Sequence, residues 1–270
     1  CLSRDILRSD VRMLKPSPSY NASALSFTLD DAFYNKRGHC PGFHQTHGYE
    51  MQCGIEWDEW IMVDALVTPS HSVLELGGRF GTTSCMLARA TNNSGHVVSV
   101  EPDRRVVRSL IEHRAANKCN YAILQGTVTS AAQNIAKVNS RSYATHTEAA
   151  PLNGTRRVVP RLSFRELEAQ LGWRIDTLLI DCEACITSFL SPSDAGEILS
   201  GISLILIEHD LPQEVGNGGY GAYFELFRKH GFEQIWLAQD TWSTATCSRL
   251  LQHSAWIKVN GHDPSTLATL

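Results

Sequence analysis

Val73-Leu74-Glu75-Leu76-Gly77-Gly78-Arg79-Phe80-Gly81-Thr82-Thr83-Ser84 is the stretch on which the fold turns. A short apolar run ends in an acid, then come glycines, then residues that open a helix, which describes a buried strand turning sharply into a helix over a ligand. Glycine serves twice. Gly77 lets the backbone turn at little steric cost, and Gly81 lets the first helical turn come close to strand and ligand. The competing reading is a glycine-rich strand-to-helix turn that carries no such ligand.

Two nucleotide-type ligands favour this turn. A dinucleotide fingerprint places glycines at relative positions one, three and six, and Gly77, Gly78 and Gly81 fit that poorly. The pattern acid-x-Gly-x-x-x-Gly, met by Glu75, Gly77 and Gly81, resembles motif I of the class I S-adenosylmethionine-dependent methyltransferases. The next apolar run, His96-Val97-Val98-Ser99-Val100-Glu101-Pro102-Asp103, ends in an acid about 20 residues further on, where a carboxylate can accept both ribose hydroxyls of an adenosine. Glu101 is the expected ribose ligand, beside Pro102. Asp103, directly before a helical run, is the better helix cap.

The chain has 270 residues, 43% of them apolar, enough for one α/β domain with a full core. A net charge of −4 offers no electrostatic case for nucleic acid. No run of about 18 apolar residues occurs, so nothing in the sequence spans a membrane. The sequence starts at Cys1, so an upstream signal or anchor can have been removed. Eight cysteines, diluted over the chain, neither demand nor exclude disulfides. Three glycosylation acceptors, at Asn21, Asn92 and Asn153, lean towards the secretory pathway or the extracellular space, with the cytoplasm as the alternative.

Residues 1–54 read as a loop-rich N-terminal arm lying over the domain of residues 55–270. The arm holds His39, Cys40, His44, His47 and Cys53, whose spacing matches no standard zinc pattern. A Cys40–Cys53 disulfide or plain surface residues are the other readings. Ile55, Trp57, Trp60, Ile61, Val63, Ala65 and Leu66 describe an amphipathic helix. Helices are expected over 82–91 and 103–118, with a strand at Tyr121–Gln125, and Gly126-Thr127-Val128 then fall where an adenine ring would lie, or form an ordinary turn. Residues 139–157 are polar, without period, and read as an insertion or long loop. Strands alternating with helices at this spacing imply a doubly wound, Rossmann-like, mostly parallel sheet with helices on both faces and ligands beyond the strands' carboxyl ends.

Two further apolar runs, Ile175–Asp181 and Ile202–Glu208, deliver Asp181, Glu183, Glu208, His209 and Asp210 to the same rim as Glu75 and Glu101. Such carboxylates are costly to desolvate and need cations, donors or a metal. Cys182 and Cys185, spaced Cys-x-x-Cys, read as small buried residues rather than a redox pair. Pro212 to Gly221 is glycine-rich and suits a substrate lid. Strands are expected over Phe232–Ala238 and Ala255–Val259. Trp236, Trp242 and Trp256 read as core rather than as a sugar platform.

Residues 70 to 210 resemble the FkbM family of methyltransferases, through motif I, the Val-Glu-Pro of 100–102, Ile175-Asp176-x-Leu178-x-Ile180-Asp181-x-Glu183, and Ile207-Glu208. The resemblance implies a seven-stranded sheet closed by an antiparallel last strand, and methyl transfer from S-adenosylmethionine to a hydroxyl of a sugar, glycan or other small hydroxylated substrate. It carries cofactor contacts to Glu75, Gly77, Gly81, Glu101, Pro102, Thr127, Val128 and Asp181. The family usually has Ala-Asn in place of Gly78-Arg79, Lys in place of Leu179, and Gly and Glu in place of Ala184 and Ile186. These departures imply either an unusual substrate or reduced activity, the second being the alternative of an inactive methyltransferase-like subunit with protein partners. His209, flanked by Glu208 and Asp210 that could orient it, is a candidate base by its ordinary pKa, or a structural residue, and Asp181 is a further candidate catalytic residue. A related O-methyltransferase arrangement implies Mg2+ between Asp181, Asp210 and Glu208; the same acids could instead bind the methionine amino group or cap helices.

Overall fold

The computed structural model of the chain describes residues 12–15, 39–44, 50–52, 56–135, 147–149, 159–209, 215, 219–239 and 252–259. Its strands are β1 (Arg12–Leu14), β2 (His39–His44), β3 (Glu50–Gln52), β4 (Val73–Leu76), β5 (Val97–Glu101), β6 (Ala122–Gln125), β7 (Thr127–Val128), β8 (Gln133–Ile135), β9 (Thr147–Ala149), β10 (Arg161–Leu162), β11 (Thr177–Ile180), β12 (Leu204–Glu208), β13 (Phe232–Gln239) and β14 (Gln252–Lys258). The helices are α1 (Trp57–Leu66), α2 (Thr82–Ala90), α3 (Arg104–Ala116), α4 (Phe164–Leu171), α5 (Ile186–Phe189), α6 (Ala195–Gly201) and α7 (Gly221–Lys229).

One sheet organises the molecule, in the order β1-β6-β5-β4-β11-β12-β14-β13. The strands from β6 to β12 pair in parallel, and β14 lies antiparallel between β12 and β13. The seven expected strands are present with the expected antiparallel last strand. An eighth joins them from the arm: β1 pairs antiparallel with β6, Met13 opposite Leu124.

The parallel strands read as unbroken apolar runs because both faces are covered. Leu74, Val98, Leu178 and Ile205 point into one core with Phe189 and Trp256, whereas Val73, Val97, Leu179 and Leu206 point into the other with Trp60 and Leu87. Each fully buried Leu, Ile or Val contributes about 1.5–3 kcal/mol. The arm takes part, since Cys40 and Phe43 are buried in the second core. Trp256 lies in the first core and Trp236 packs against the second, while Trp242 lies outside the described residues.

Local chemistry sets the helix ends. Asp103 caps α3, its carboxylate accepting from the Arg105 N–H, as its place before the helix predicts. Ser163 and Glu166 form a reciprocal capping box at α4. In α1 the buried residues are Trp57, Glu59, Trp60, Met62 and Val63, with Ala65 exposed, so the expected apolar stripe is correct at Trp57, Trp60 and Val63 and fails at Ala65. The insertion is only partly loop, because β9 pairs with β8. Of the glycine-rich lid candidate, Val215 and Tyr220 are buried; most of it lies outside the described residues. Among the described residues, no helix is long and apolar enough to cross a membrane.

Candidate active site

A cleft enclosing about 660 Å³, part of it open to solvent, lies at the carboxyl ends of β4, β5, β6 and β11. Gly77, Glu101, Pro102, Thr127, Val128 and Asp181 line it, together with Leu76, Val100 and Phe189. The turn after β4 is pinned on both sides. The N–H groups of Gly77 and Gly78 donate to the Val100 carbonyl, and the Asp181 N–H donates to the Leu76 carbonyl at 3.0 Å. A Cβ at Gly77 would stand 1.5 Å from the Asp181 carbonyl oxygen, and its φ is +106°, so only glycine fits. The close approach at Gly77 is therefore to the end of β11.

Glu101 sits at the cleft floor with 1% exposure. Its carboxylate accepts from the Asp103 N–H at 2.6 Å and the Arg79 N–H at 3.1 Å. Burial pushes its pKa up to about 7 against the pull of these donors and of the Arg79 charge. Each carboxylate oxygen keeps a further lone pair, so two vicinal hydroxyls find acceptors here. Arg79 itself holds a left-handed φ of +38°, uncommon for a side-chain-bearing residue.

Glu75 and Gly81 do not line the cleft. The Glu75 carboxylate, 1% exposed, accepts from the Ser84 hydroxyl at 2.5 Å, and burial pushes it up to about 7. It ties β4 to α2, which corrects its assignment as a cofactor contact. Gly81 starts α2 at φ +86°, and a Cβ there would meet Tyr121 Oη at 2.6 Å. Its close neighbour is protein.

His209 is turned away from the cleft. Strand alternation puts it on the side of Ile205 and Ile207, where its ring stacks on Tyr220 with centroids 4.9 Å apart and its Nε2 lies 2.8 Å from Ser254 Oγ. Burial lowers its pKa to about 4. The expected base is thus a packed, structural histidine. Asp181 remains at the cleft wall.

Of the acids expected to share a cation, Asp210 lies outside the described residues. Asp181 and Glu208 each gather with Glu59 of α1, a residue sequence reasoning missed. One donor atom apiece from Glu56, Glu59 and Asp181 lies within 4.8 Å of the others, and the same holds for Glu59, Glu208 and His253. Burial, then the charges of Asp181 and Glu56, hold the Glu59 carboxyl well above the usual carboxylate range. The signal was the run Glu56-Trp57-Asp58-Glu59 at a helix start, read by its apolar members only.

Cys182 and Cys185 form a disulfide in the cleft wall, correcting their reading as plain small residues. Between them Glu183 and Ala184 hold φ +53° and +68°. Cys85 and Cys119 form a second disulfide; Cys40 is also disulfide-bonded, its partner outside the described residues, where Cys53 lies. Thr147 of β9 closes one side of the cleft, and no sequence signal marked it.

No protein-family model and no curated protein matches the chain. Solved structures with a similar fold include an O-methyltransferase from Bacillus cereus in complex with SAH, at 13% identity and TM-score 0.47, covering 74% of this chain and 81% of that one. Another is precorrin-6y C5,15-methyltransferase from Geobacter metallireducens, at 7% identity and TM-score 0.47, covering 80% and 93%. These neighbours are methyltransferases. At such identities they carry nothing about this chain's chemistry, and the fold assignment rests on the sheet order itself.

Proposed function

We infer that the chain is an S-adenosylmethionine-dependent O-methyltransferase of FkbM type, acting on a hydroxyl of a sugar, glycan or other small hydroxylated molecule. The observation that supports this most is the cleft, which draws six of the eight expected cofactor residues together around the buried carboxylate of Glu101. Thr127 Oγ1, at the cleft, is buried without a hydrogen-bond partner, a donor left over for a ligand.

When bound, S-adenosylmethionine would supply an electrophilic methyl group on a sulfonium. Glu101 would accept the ribose hydroxyls, and Leu76, Val100 and Val128 would cover apolar surface. Transfer asks the protein mainly for alignment and removal of the hydroxyl proton. With His209 turned away, Asp181 would be the group in this role, taking the hydroxyl proton as the methyl passes from sulfur to oxygen; the S–C bond breaks and the cofactor leaves as the neutral thioether S-adenosylhomocysteine.

A second reading has its own support. Leu179 and Ile186, where the resembled family has Lys and Glu, are 1% and 0% exposed in the two cores, so neither position offers a polar group to the cleft. That favours an inactive subunit with a protein partner. The three disulfide-bonded sites and the exposed Asn92 acceptor support a secretory or extracellular setting for either reading.

Calorimetric titration of the folded chain with S-adenosylmethionine separates the two. Micromolar binding that Glu101→Gln weakens by about tenfold or more supports the enzyme. No binding up to millimolar cofactor supports the subunit.

A further inference from the structure

We propose that Glu59, Glu208 and His253 form a site for a divalent first-row transition metal, set behind the cleft and made of residues the cofactor would not touch. Three elements build it. Glu208 ends β12, and His253 is its cross-strand partner on β14. By strand alternation both stand on the face of Leu206 and Ala255, the face that α1 covers with Trp60, Met62 and Val63. Glu59 projects from the first turn of α1 into that layer at 1% exposure.

A donor atom from each of the three lies within 4.8 Å of the other two. Around an ion with ligand bonds of about 2.0–2.2 Å such atoms would sit roughly 3–3.5 Å apart, so a small side-chain contraction completes the shell. Glu59 and His253 each carry an unpartnered buried atom. Glu59 Oε2 accepts from the Thr83 hydroxyl at 3.0 Å, while Oε1 is buried with no hydrogen-bond partner. The His253 ring, 3% exposed, has its Nδ1 buried without a partner, and its Nε2 lies 3.6 Å from Glu208 Oε1, beyond hydrogen-bond reach. Buried polar atoms are nearly always satisfied, and the unpartnered Glu59 Oε1, on a side chain within reach of the His253 ring and of a second carboxylate, gives this cluster the character of a cation site. Thr83, itself 3.3 Å from the Trp60 indole N–H, holds Glu59 in orientation, as outer hydrogen bonds do for metal ligands.

One imidazole with two carboxylates selects Mn2+, Fe2+ or Zn2+ over Mg2+, which prefers oxygen alone and keeps its waters. Through Glu59 the site adjoins Glu56 and Asp181, so an ion there sets the charge felt by the acid that faces the cleft. The proposal does not depend on the methyltransferase reading, because it predicts metal uptake whether or not S-adenosylmethionine binds.

The test is titration of the demetallated full chain with Mn2+ and Zn2+, followed by pulsed electron paramagnetic resonance of the Mn2+ form. Expected are one ion per chain, coupling to one imidazole nitrogen, Mg2+ competing only weakly, and a loss of affinity of about tenfold or more in Glu59→Gln and in His253→Gln. Absence of stoichiometric uptake, uptake without nitrogen coupling, or folded variants that bind as tightly as the parent would each overturn it. The nitrogen coupling is read on the unaltered protein and decides the matter even if a variant fails to fold.

Discussion

Glu75 illustrates how one residue can be legible in kind and not in role. An acid closing an apolar strand before glycines is a ligand signal, yet the carboxylate is enclosed between β4 and α2 and serves Ser84. Burial lifts it from an ordinary 4.5 to about 7, so the folded chain holds a proton the unfolded chain releases earlier. Its contribution to stability is full below about 4.5 and is lost as pH rises through 7. Glu75→Gln keeps an acceptor and never ionises. Relative to the parent it is expected to gain about 2–3 kcal/mol between pH 5 and pH 8 in urea unfolding; parallel pH profiles would refute the assignment. His209 shows the same limit from the other side: a one-residue step along β12 separates it from Glu208 by a whole face of the sheet, and no composition reveals that.

At the scale of elements, what was legible follows from burial. Strands enclosed on both faces read as short continuous apolar runs, so β4, β5, β6, β11 and β12 were found close to their true bounds, as were α2 and α3 through their turns and cap. The partners of α1 were not legible, because an acid at a helix start signals a favourable dipole contact whether it faces water or, like Glu59, a buried cluster. β9 was missed because its three residues, Thr147–Ala149, sit in a polar stretch and gain their order from β8. The turn after β11 carries a prediction of its own. Ala184 holds φ +68°, where glycine is favoured and where the resembled family has it. Ala184→Gly should stabilise the chain by about 0.5–1 kcal/mol in chemical denaturation, the relief of the left-handed strain outweighing the extra freedom of the unfolded chain. A destabilised variant would show that the turn's conformation is imposed without strain.

Across the whole molecule, the sheet supplies the layout and the disulfides fasten it. Cys85 in α2 and Cys119 beyond α3 are 34 residues apart, and their bond closes β5 and α3 into a loop on one face. A Cys85→Ala/Cys119→Ala chain is expected to lose about 3–4 kcal/mol in guanidinium unfolding, most of it through the freer unfolded state. An unchanged midpoint would mean that the thiols are not joined in solution.

The Cys182–Cys185 bond has a consequence of another kind. It lies in the wall of the cleft, beside Asp181 and Glu183, and holds the two left-handed residues between its ends. A chain synthesised in a reducing cytosol would carry two thiols there, with that wall released from its tie. Material from an oxidising host and material from a reducing one are therefore two different ligand-binding surfaces on the same sheet, and a failure to bind in the second leaves the first unjudged.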